Sequence, residues 1–338
     1  MPTIRDVAKL AHVSTATVSH VLNESRWVSP DTRRAVLDAV AHLNYRPSAI
    51  ARSLTTNITH TVGVLVADIT NPFFAMLVRG IEDRLAAQRY NLIVCNTDEA
   101  PDKEARYLDL LLTRRVDGVI VAPTGTPQPI LQEFIAQNIP LVFVDRRPTA
   151  NLGPVIAVDN EAAGYRATRY LLDLGHRRIA LLTRNPALST ATGRINGYRK
   201  ALRARRVPKD ESLIAITDQS LDAAFDGAVK LLTQPQRPTA IVATNVLMTL
   251  GVLRALQELH LKCPADVSLI CFDEQPWARL FEPPLTVVAQ PIAAMCDAAV
   301  QTLLTTIESR RGREAKPIAL PDVTLKAELV VRASCKQI

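Results

Sequence analysis

The segment TIRDVAKLAHVSTATVSHVLN, from Thr3 to Asn23, admits few folds, because it reads as two short helices joined by a tight turn. Ile4, Ala8 and Ala11 recur at i, i+4 and i+7 and so share one face of a 3.6-residue helix, and Thr3 stands where a hydroxyl can cap the first free amides. After a turn at His12 and Val13, Ser14 is placed to cap a second helix in which Val18, Val21 and Leu22 repeat the apolar spacing. The opposite face carries Thr15, Ala16, Thr17, Ser19 and His20, short or polar side chains with no acid among them. Such a face can approach a polyanion closely, and a helix of this kind suits a DNA major groove. Taken alone, the two helices are equally well an ordinary amphipathic hairpin.

The residues after Asn23 weigh against an ordinary hairpin. Ser29 and Pro30 announce a third helix, with Ala35, Val36, Ala39, Val40 and Leu43 on one face, and three short helices can enclose a small core. In the next stretch, Tyr45 to Thr61, the residues from Pro47 to Leu54 could make about two turns of helix, too few to persist alone in water. A segment poised in this way, carrying Arg52 and a terminal Leu54, makes sense if it orders only against DNA, with Leu54 as a wedge between base steps.

Residues 6–23 follow the order DVAxxAxVSxxTVSxVLN, and residues 28–54 the order VSxxTRxxVxxAxxxLxYxPxxxARSL. In these motifs the chain resembles the lactose and purine repressor family of bacterial transcription regulators, the LacI/GalR family. The resemblance implies double-stranded operator DNA as a partner. It assigns DNA contact to Thr15, Ala16, Thr17, His20 and Asn23 in the head, with Thr15, Ala16 and His20 at base-reading positions, and to Arg52 and Leu54 in a hinge. Ala16 can offer a base edge only methyl contact, as to thymine, so the operator sequence is not legible here.

Composition agrees without deciding. The chain has 338 residues, a formal charge of +7 and a pI near 9.3, a balance that favours a polyanionic partner. In the first sixty residues the excess is modest, seven Lys and Arg against four Asp and Glu, although four of the six histidines lie there too. No apolar run approaches the length of a membrane span, and the first residues read as a helical hairpin rather than a signal peptide, so no membrane partner and a cytoplasmic location are expected. Five cysteines, at 95, 263, 271, 296 and 335, show no CxxC spacing, and Cys95 and Cys271 sit inside apolar runs as core thiols do.

From Thr61 the texture changes to short β-rich runs alternating with helix-period segments. Val62 to Asp68, Tyr90 to Asn96, Asp117 to Pro123 and Pro140 to Asp145 form one series. Arg177 to Arg184, Pro238 to Thr244 and Val267 to Asp273 begin a second. A βαβα order implies parallel sheets covered on both faces. The expected fold is an all-α helix-turn-helix head followed by an α/β body of two open parallel-sheet lobes, like a periplasmic binding protein. The expected boundaries are 1–46 for the head, 47–60 for hinge and linker, and 61–338 for the body. Within the body, lobe 1 is set at 61–160 plus 291–322 and lobe 2 at 161–290 plus 323–338, with one strand through Val323 to Val331. Polar residues at the strand ends, Asp68, Asp145, Arg184, Asn245 and Asp273, would line an inter-lobe cleft, where open α/β folds bind ligands.

Enzyme motifs are missing. No two of the twelve glycines are separated by a single residue, which removes the dinucleotide loop, and neither a phosphate loop nor a GxSxG elbow occurs. No catalytic residue, cofactor or metal site is therefore expected, and His176, before the run RRIALL, reads as structural. The resemblance instead implies a small-molecule effector contacted by Asn71, Phe73, Phe74, Arg194, Gln219, Asn245 and Asp273, although Phe74 is as readily a core aromatic. Arg146 follows a strand end; with Arg184 and Arg194 it would make the cleft positive, or else lie on a solvated surface. If two of these three face inward, a sugar acid becomes more attractive than a neutral sugar. Paired hinge segments require a twofold axis, and the closing sequence VVRASCKQI carries no heptad, so a homodimer is expected. The competing reading is a solute-binding sensor of the periplasmic type without DNA regulation.

Overall fold

The computed structural model describes residues 2–23, 26–45, 58–218, 220–310 and 320–338, and the side chain of Asn23 lies outside that description. The chain forms two compact units, Met1–Thr59 and His60–Ile338.

The first unit contains helices α1 (Ile4–Leu10), α2 (Thr15–Asn23) and α3 (Pro30–His42). Their ends are set by local chemistry. The amide and hydroxyl of Thr3 both donate to the Asp6 carboxylate at 2.8 Å, which holds the Asp6 carboxyl below its ordinary range. Ser14 Oγ accepts from the Thr17 amide at 3.0 Å, and Ser29 Oγ from the Thr32 amide at 3.4 Å behind Pro30. His12 turns the chain with a φ of 53°, in the left-handed region. Val7, Ala8, Ala11, Val18, Val21, Val36 and Ala39 make the core. Ala35, expected on the inner face of α3, is exposed, because the buried stripe runs through Val36 and Ala39 and a neighbour one residue away is rotated by about 100°.

The second unit holds two six-stranded sheets. In the first lobe the sheet runs in the spatial order β2 (Asn91–Asn96), β1 (Thr61–Val66), β3 (Gly118–Val121), β4 (Leu141–Val144), β5 (Val155–Val158) and β11 (Val323–Leu325), all parallel. The second lobe repeats this order with β7 (Ile214–Ile216), β6 (Ile179–Thr183), β8 (Ala240–Ala243), β9 (Ser268–Phe272), β10 (Thr286–Ala289) and an antiparallel β12 (Glu328–Val330). Each sheet is covered by helices. These are α4 (Pro72–Ala87), α5 (Pro101–Thr113) and α6 (Leu131–Ala136) in the first lobe, and α7 (Asn160–Asp173), α8 (Ser189–Ala204), α9 (Leu221–Leu232) and α10 (Val246–Glu258) in the second. The central strands are apolar on both faces because both faces are covered.

The last helix, α11 (Ile292–Ser309), packs on α4 and on β3 and β4, so it belongs to the first lobe. The lobe boundary expected at 322 needs correction. Val323–Leu325 extends the first sheet by pairing with β5, Val323 opposite Ile156, whereas Glu328–Val330 pairs with β10, Val330 opposite Val287. The stretch expected as one strand is thus two, each covering the open edge of a different sheet. The chain crosses between lobes three times, near Asp159–Asn160, at Gln290–Pro291 and near Lys326–Ala327. Strand order reverses between β1 and β3 and between β6 and β8, and residues following these strands face one another across the lobes.

Candidate functional site

The inter-lobe site begins with two helices that approach closely. A Cβ on Gly197 of α8 would fall on the Glu161 carbonyl and the Tyr165 amide of α7, backbone atoms that cannot swing aside. This contact sets Arg194, one turn earlier on α8, against the start of α7, where its Nε donates to Asn160 Oδ1 at 2.8 Å. Arg194 also donates through Nη1 to the Thr244 carbonyl and lies over the Phe272 ring, 4.3 Å from its centroid. It is 6% exposed, and burial pulls its guanidinium below the usual arginine range.

Arg194 lines a narrow cavity of about 40 Å³ together with Asn71, Phe73, Phe74, Asp145, Arg146, Arg184, Asn245, Asp273 and Gln290. Of the effector positions expected from the sequence, seven meet here: Asn71, Phe73, Phe74, Arg146, Arg194, Asn245 and Asp273. Gln219 lies outside the described residues. Phe73 and Phe74 meet edge to face at 5.1 Å, and each is at once a core side chain and a cavity wall. Asn71 and Asn245 cap α4 and α10, accepting from the amides of Phe73 at 3.1 Å and Met248 at 2.8 Å, which fixes both side chains at the wall.

Two aspartates occupy equivalent places, one after β4 and one after β9, and both take left-handed backbone angles, φ 66° at Asp145 and φ 73° at Asp273. Non-glycine residues in that region concentrate where the surroundings hold them for a purpose. Burial pushes the Asp145 carboxyl up against the pull of Arg146 and Arg194, and it pushes Asp273 up against Arg194 and a 2.6 Å hydrogen bond from Gln290. Asp145 was legible as a strand-end carboxylate but not as an effector position. Its signal was the parallel between PLVFVD and VSLICFD, each apolar run closing on Asp.

The positive potential expected from Arg146, Arg184 and Arg194 is offset by a carboxylate from outside the inner cavity. Glu99, after β2, binds Arg146 in a two-point fork at 2.7 and 2.8 Å and takes a third bond from Arg184 at 3.0 Å. Burial alone would push the Glu99 carboxyl up, but these bonds and charges win and hold it below the usual range. The same pair holds Arg146, 3% exposed, above its ordinary value despite burial. Two of the three cations are thus paired with Glu99, and the third, Arg194, acts through space on the raised carboxyls of Asp145 and Asp273. Glu99 faces an outer recess of about 660 Å³, lined also by Asp68, Asp98, Arg184 and Asp218, which opens beside the inner cavity. Nothing in the loop TDEAP distinguished Glu99 in the sequence, since its contacts come from residues far along the chain.

On the head, Thr15 and Ala16 are exposed and Thr17 and His20 half-buried, whereas Val18 and Val21 of the same helix are core. The Thr17 hydroxyl is engaged with Ser14 Oγ at 2.9 Å. Arg52, Leu54 and the hinge helix expected at Pro47 to Leu54 lie outside the described residues. His176 is fully buried between Thr239 Oγ1 at 2.8 Å and the Lys336 carbonyl at 3.1 Å, a structural role. No group of metal-ligating side chains occurs among the described residues, and no helix among them is long and apolar enough to cross a membrane.

Residues 3–48 match the description "Bacterial regulatory proteins, lacI family", and residues 59–316 match "Periplasmic binding proteins and sugar binding domain of LacI family". The chain belongs to the LacI family. The HTH-type transcriptional repressor PurR of Glaesserella parasuis is 36% identical over 100% of this chain and 99% of its own length. The PurR repressor of Vibrio atlanticus is 39% identical over 92% of this chain and 93% of its own. Among solved structures, the lac repressor dimer bound to operator and the anti-inducer ONPF has a TM-score of 0.82 at 27% identity, covering 99% of both chains. A LacI-family regulator from Enterococcus faecium with bound ribose has a TM-score of 0.74 at 30% identity, covering 82% of this chain and 99% of its own. This LacI-family chain therefore joins a DNA-binding head to a two-lobed effector-binding body of parallel sheets.

Proposed function

We propose that the chain is a cytoplasmic transcription repressor. It binds operator DNA as a homodimer and changes its grip when an uncharged, sugar-sized polyol enters the cleft between its lobes. The observation that carries this reading is the charge balance of the cavity: Arg146 and Arg184 are matched by Glu99, and Arg194 faces Asp145 and Asp273. An anionic ligand would leave a buried charge uncompensated, which is costly, whereas a polyol offers donors to the aspartates and acceptors to Arg194. Phe73 and Phe74 supply an apolar wall for C–H faces. A neutral sugar is accordingly preferred here to the sugar acid that three unmatched arginines would favour, and the ribose held by the Enterococcus faecium relative is a ligand of that kind.

On the head, Thr15, Ala16 and His20 read base edges in the major groove, with Thr17 and Asn23 beside them. Arg52 and Leu54 act at the minor groove in a hinge that folds against DNA. The narrow cavity would hold a few waters but no sugar, so the ligand enters with the lobes apart and biases their closure. The relatives are repressors, and the site is proposed to bind without turnover.

The test is selection from random duplex DNA with the full chain, followed by fluorescence anisotropy on the enriched site with and without ribose and other neutral sugars. A twofold-symmetric site whose affinity shifts with a neutral sugar is expected. Failure to enrich any site would refute the DNA reading, and a response confined to sugar acids would refute the ligand class.

A further inference from the structure

Arg146 and Arg184 form a seat that suits an anion, and Glu99 already sits in it. Arg146 belongs to the first lobe and Arg184 to the second, so the carboxylate of Glu99 joins guanidinium groups from both sides of the cleft. The fork on Arg146 is bidentate, the geometry in which a guanidinium recognises a free carboxylate or phosphate. Arg146 lines the inner cavity, Glu99 the outer recess and Arg184 both, which puts the ion cluster at the boundary between them. Arg146 also keeps a buried Nε with no hydrogen-bond partner, its nearest carboxylate oxygen being Asp145 Oδ2 at 3.5 Å. The arginine therefore retains donor capacity beyond what Glu99 uses.

We propose that Glu99 is a specificity-determining residue: as an internal carboxylate it occupies the anion seat of Arg146 and Arg184 and so reserves the inner cavity for uncharged ligands. The inference rests on the reading of this cleft as the effector site. A carboxylate or phosphate entering the wild-type cavity must either displace Glu99, leaving a half-buried carboxylate without its cations, or lie beside Asp145 and Asp273, where Arg194, already bonded to Asn160 and the Thr244 carbonyl, is the cation left to meet it. Glu99 is held beside its partners by the fold and competes at a high effective concentration, which a free anion has to overcome. Removing the charge at position 99 while keeping its shape takes the internal anion out of the seat without altering the aspartates that meet hydroxyl groups.

The experiment uses the full chain and two kinds of probe, inorganic phosphate and the pair ribose and ribonate, read by thermal unfolding and titration calorimetry. Wild type is expected to respond to ribose and not to ribonate, and to show no phosphate-dependent rise in melting temperature. Glu99→Gln is expected to gain a phosphate-dependent rise and to bind ribonate about tenfold or more tightly than wild type does, the scale of one charge-assisted hydrogen bond. Adding Arg146→Met to Glu99→Gln removes half the seat and should abolish both gains. Should Glu99→Gln not fold, Glu99→Asp keeps the charge but withdraws it by one methylene, and a smaller gain in the same direction is expected. Wild type that binds ribonate as tightly as ribose, or variants with no gain in phosphate response over wild type, would overturn the proposal. Asp273→Asn separates the two readings. If it leaves the ribose response intact, the cleft is not the effector site, whatever the phosphate response of the position 99 variants.

Discussion

Replacing Arg194 by methionine removes a charge from the middle of the cavity while nearly conserving volume. The side chain makes two charge-assisted hydrogen bonds, to Asn160 Oδ1 and the Thr244 carbonyl, and stacks on Phe272. At about 1.5–3 kcal/mol for each bond and about 2 kcal/mol for the stacked cation, the gross gain is comparable to the several kcal/mol it costs to bury a guanidinium. The net change in stability at acidic pH is therefore small. The pH dependence is not. Asp145 and Asp273 have folded values raised above 3.8 by burial, and Arg194 opposes that rise at both. A carboxyl raised on folding contributes stability that is fully present below its unfolded value and is lost as pH climbs through the folded value. Without Arg194 both folded values move higher, and the loss extends further up the pH scale. Over that extension each carboxyl steepens the fall by about 1.4 kcal/mol per pH unit. Glu99, held below its usual range, loses stability in the opposite direction as pH falls, but it is common to both proteins and cancels in the difference. Urea unfolding by circular dichroism at closely spaced pH values, from about 3.8 upward, gives that difference directly. A difference between Arg194→Met and wild type that does not change with pH would refute the reasoning.

Gly197→Ala sets a methyl group against the backbone of α7 and should cost about 2 kcal/mol or more by denaturant unfolding, with a change near zero refuting the close-packed helix pair. Asp273→Ala should abolish the effect of a neutral sugar on operator affinity while leaving affinity without sugar nearly unchanged, measured by anisotropy on the same duplex. Leu54→Ala should lower specific binding and leave the salt-dependent non-specific component mostly intact, so an unchanged ratio of the two would remove the wedge.

The head was legible because its signals are local: Ser14 and Ser29 cap within three residues, and a 3.6-residue stripe marks each helix. The parallel strands were legible for a similar reason, as apolar runs such as VGVLV and SLICF stand out when both faces are covered. The short strands β5, β7 and β10 were not read, being supported by neighbours supplied from elsewhere. The split of 323–330 between two sheets depends on which open edges the rest of the chain leaves, information that no window of residues contains. At the site, Arg194 and Asp273 came from motif register. Their electrostatic meaning did not, because the sign of the cavity turns on Glu99, whose partners Arg146 and Arg184 lie 47 and 85 residues further along.

Two of the three places where the chain passes between lobes are also wall chemistry. Asn160, at the first crossing, holds Arg194, and Gln290, at the second, holds Asp273. Recognition and pivot are therefore built from the same few atoms, so this chain has no separate dial for which molecule it senses and for how readily its lobes swing. A substitution at Asn160 or Gln290 that repositions Arg194 or Asp273 for a new ligand also reloads the joint, shifting the resting balance between open and closed before any ligand arrives. Lineages that change ligand on this scaffold would be expected to carry compensating changes at positions 160 and 290, far apart in sequence and adjacent in mechanical effect.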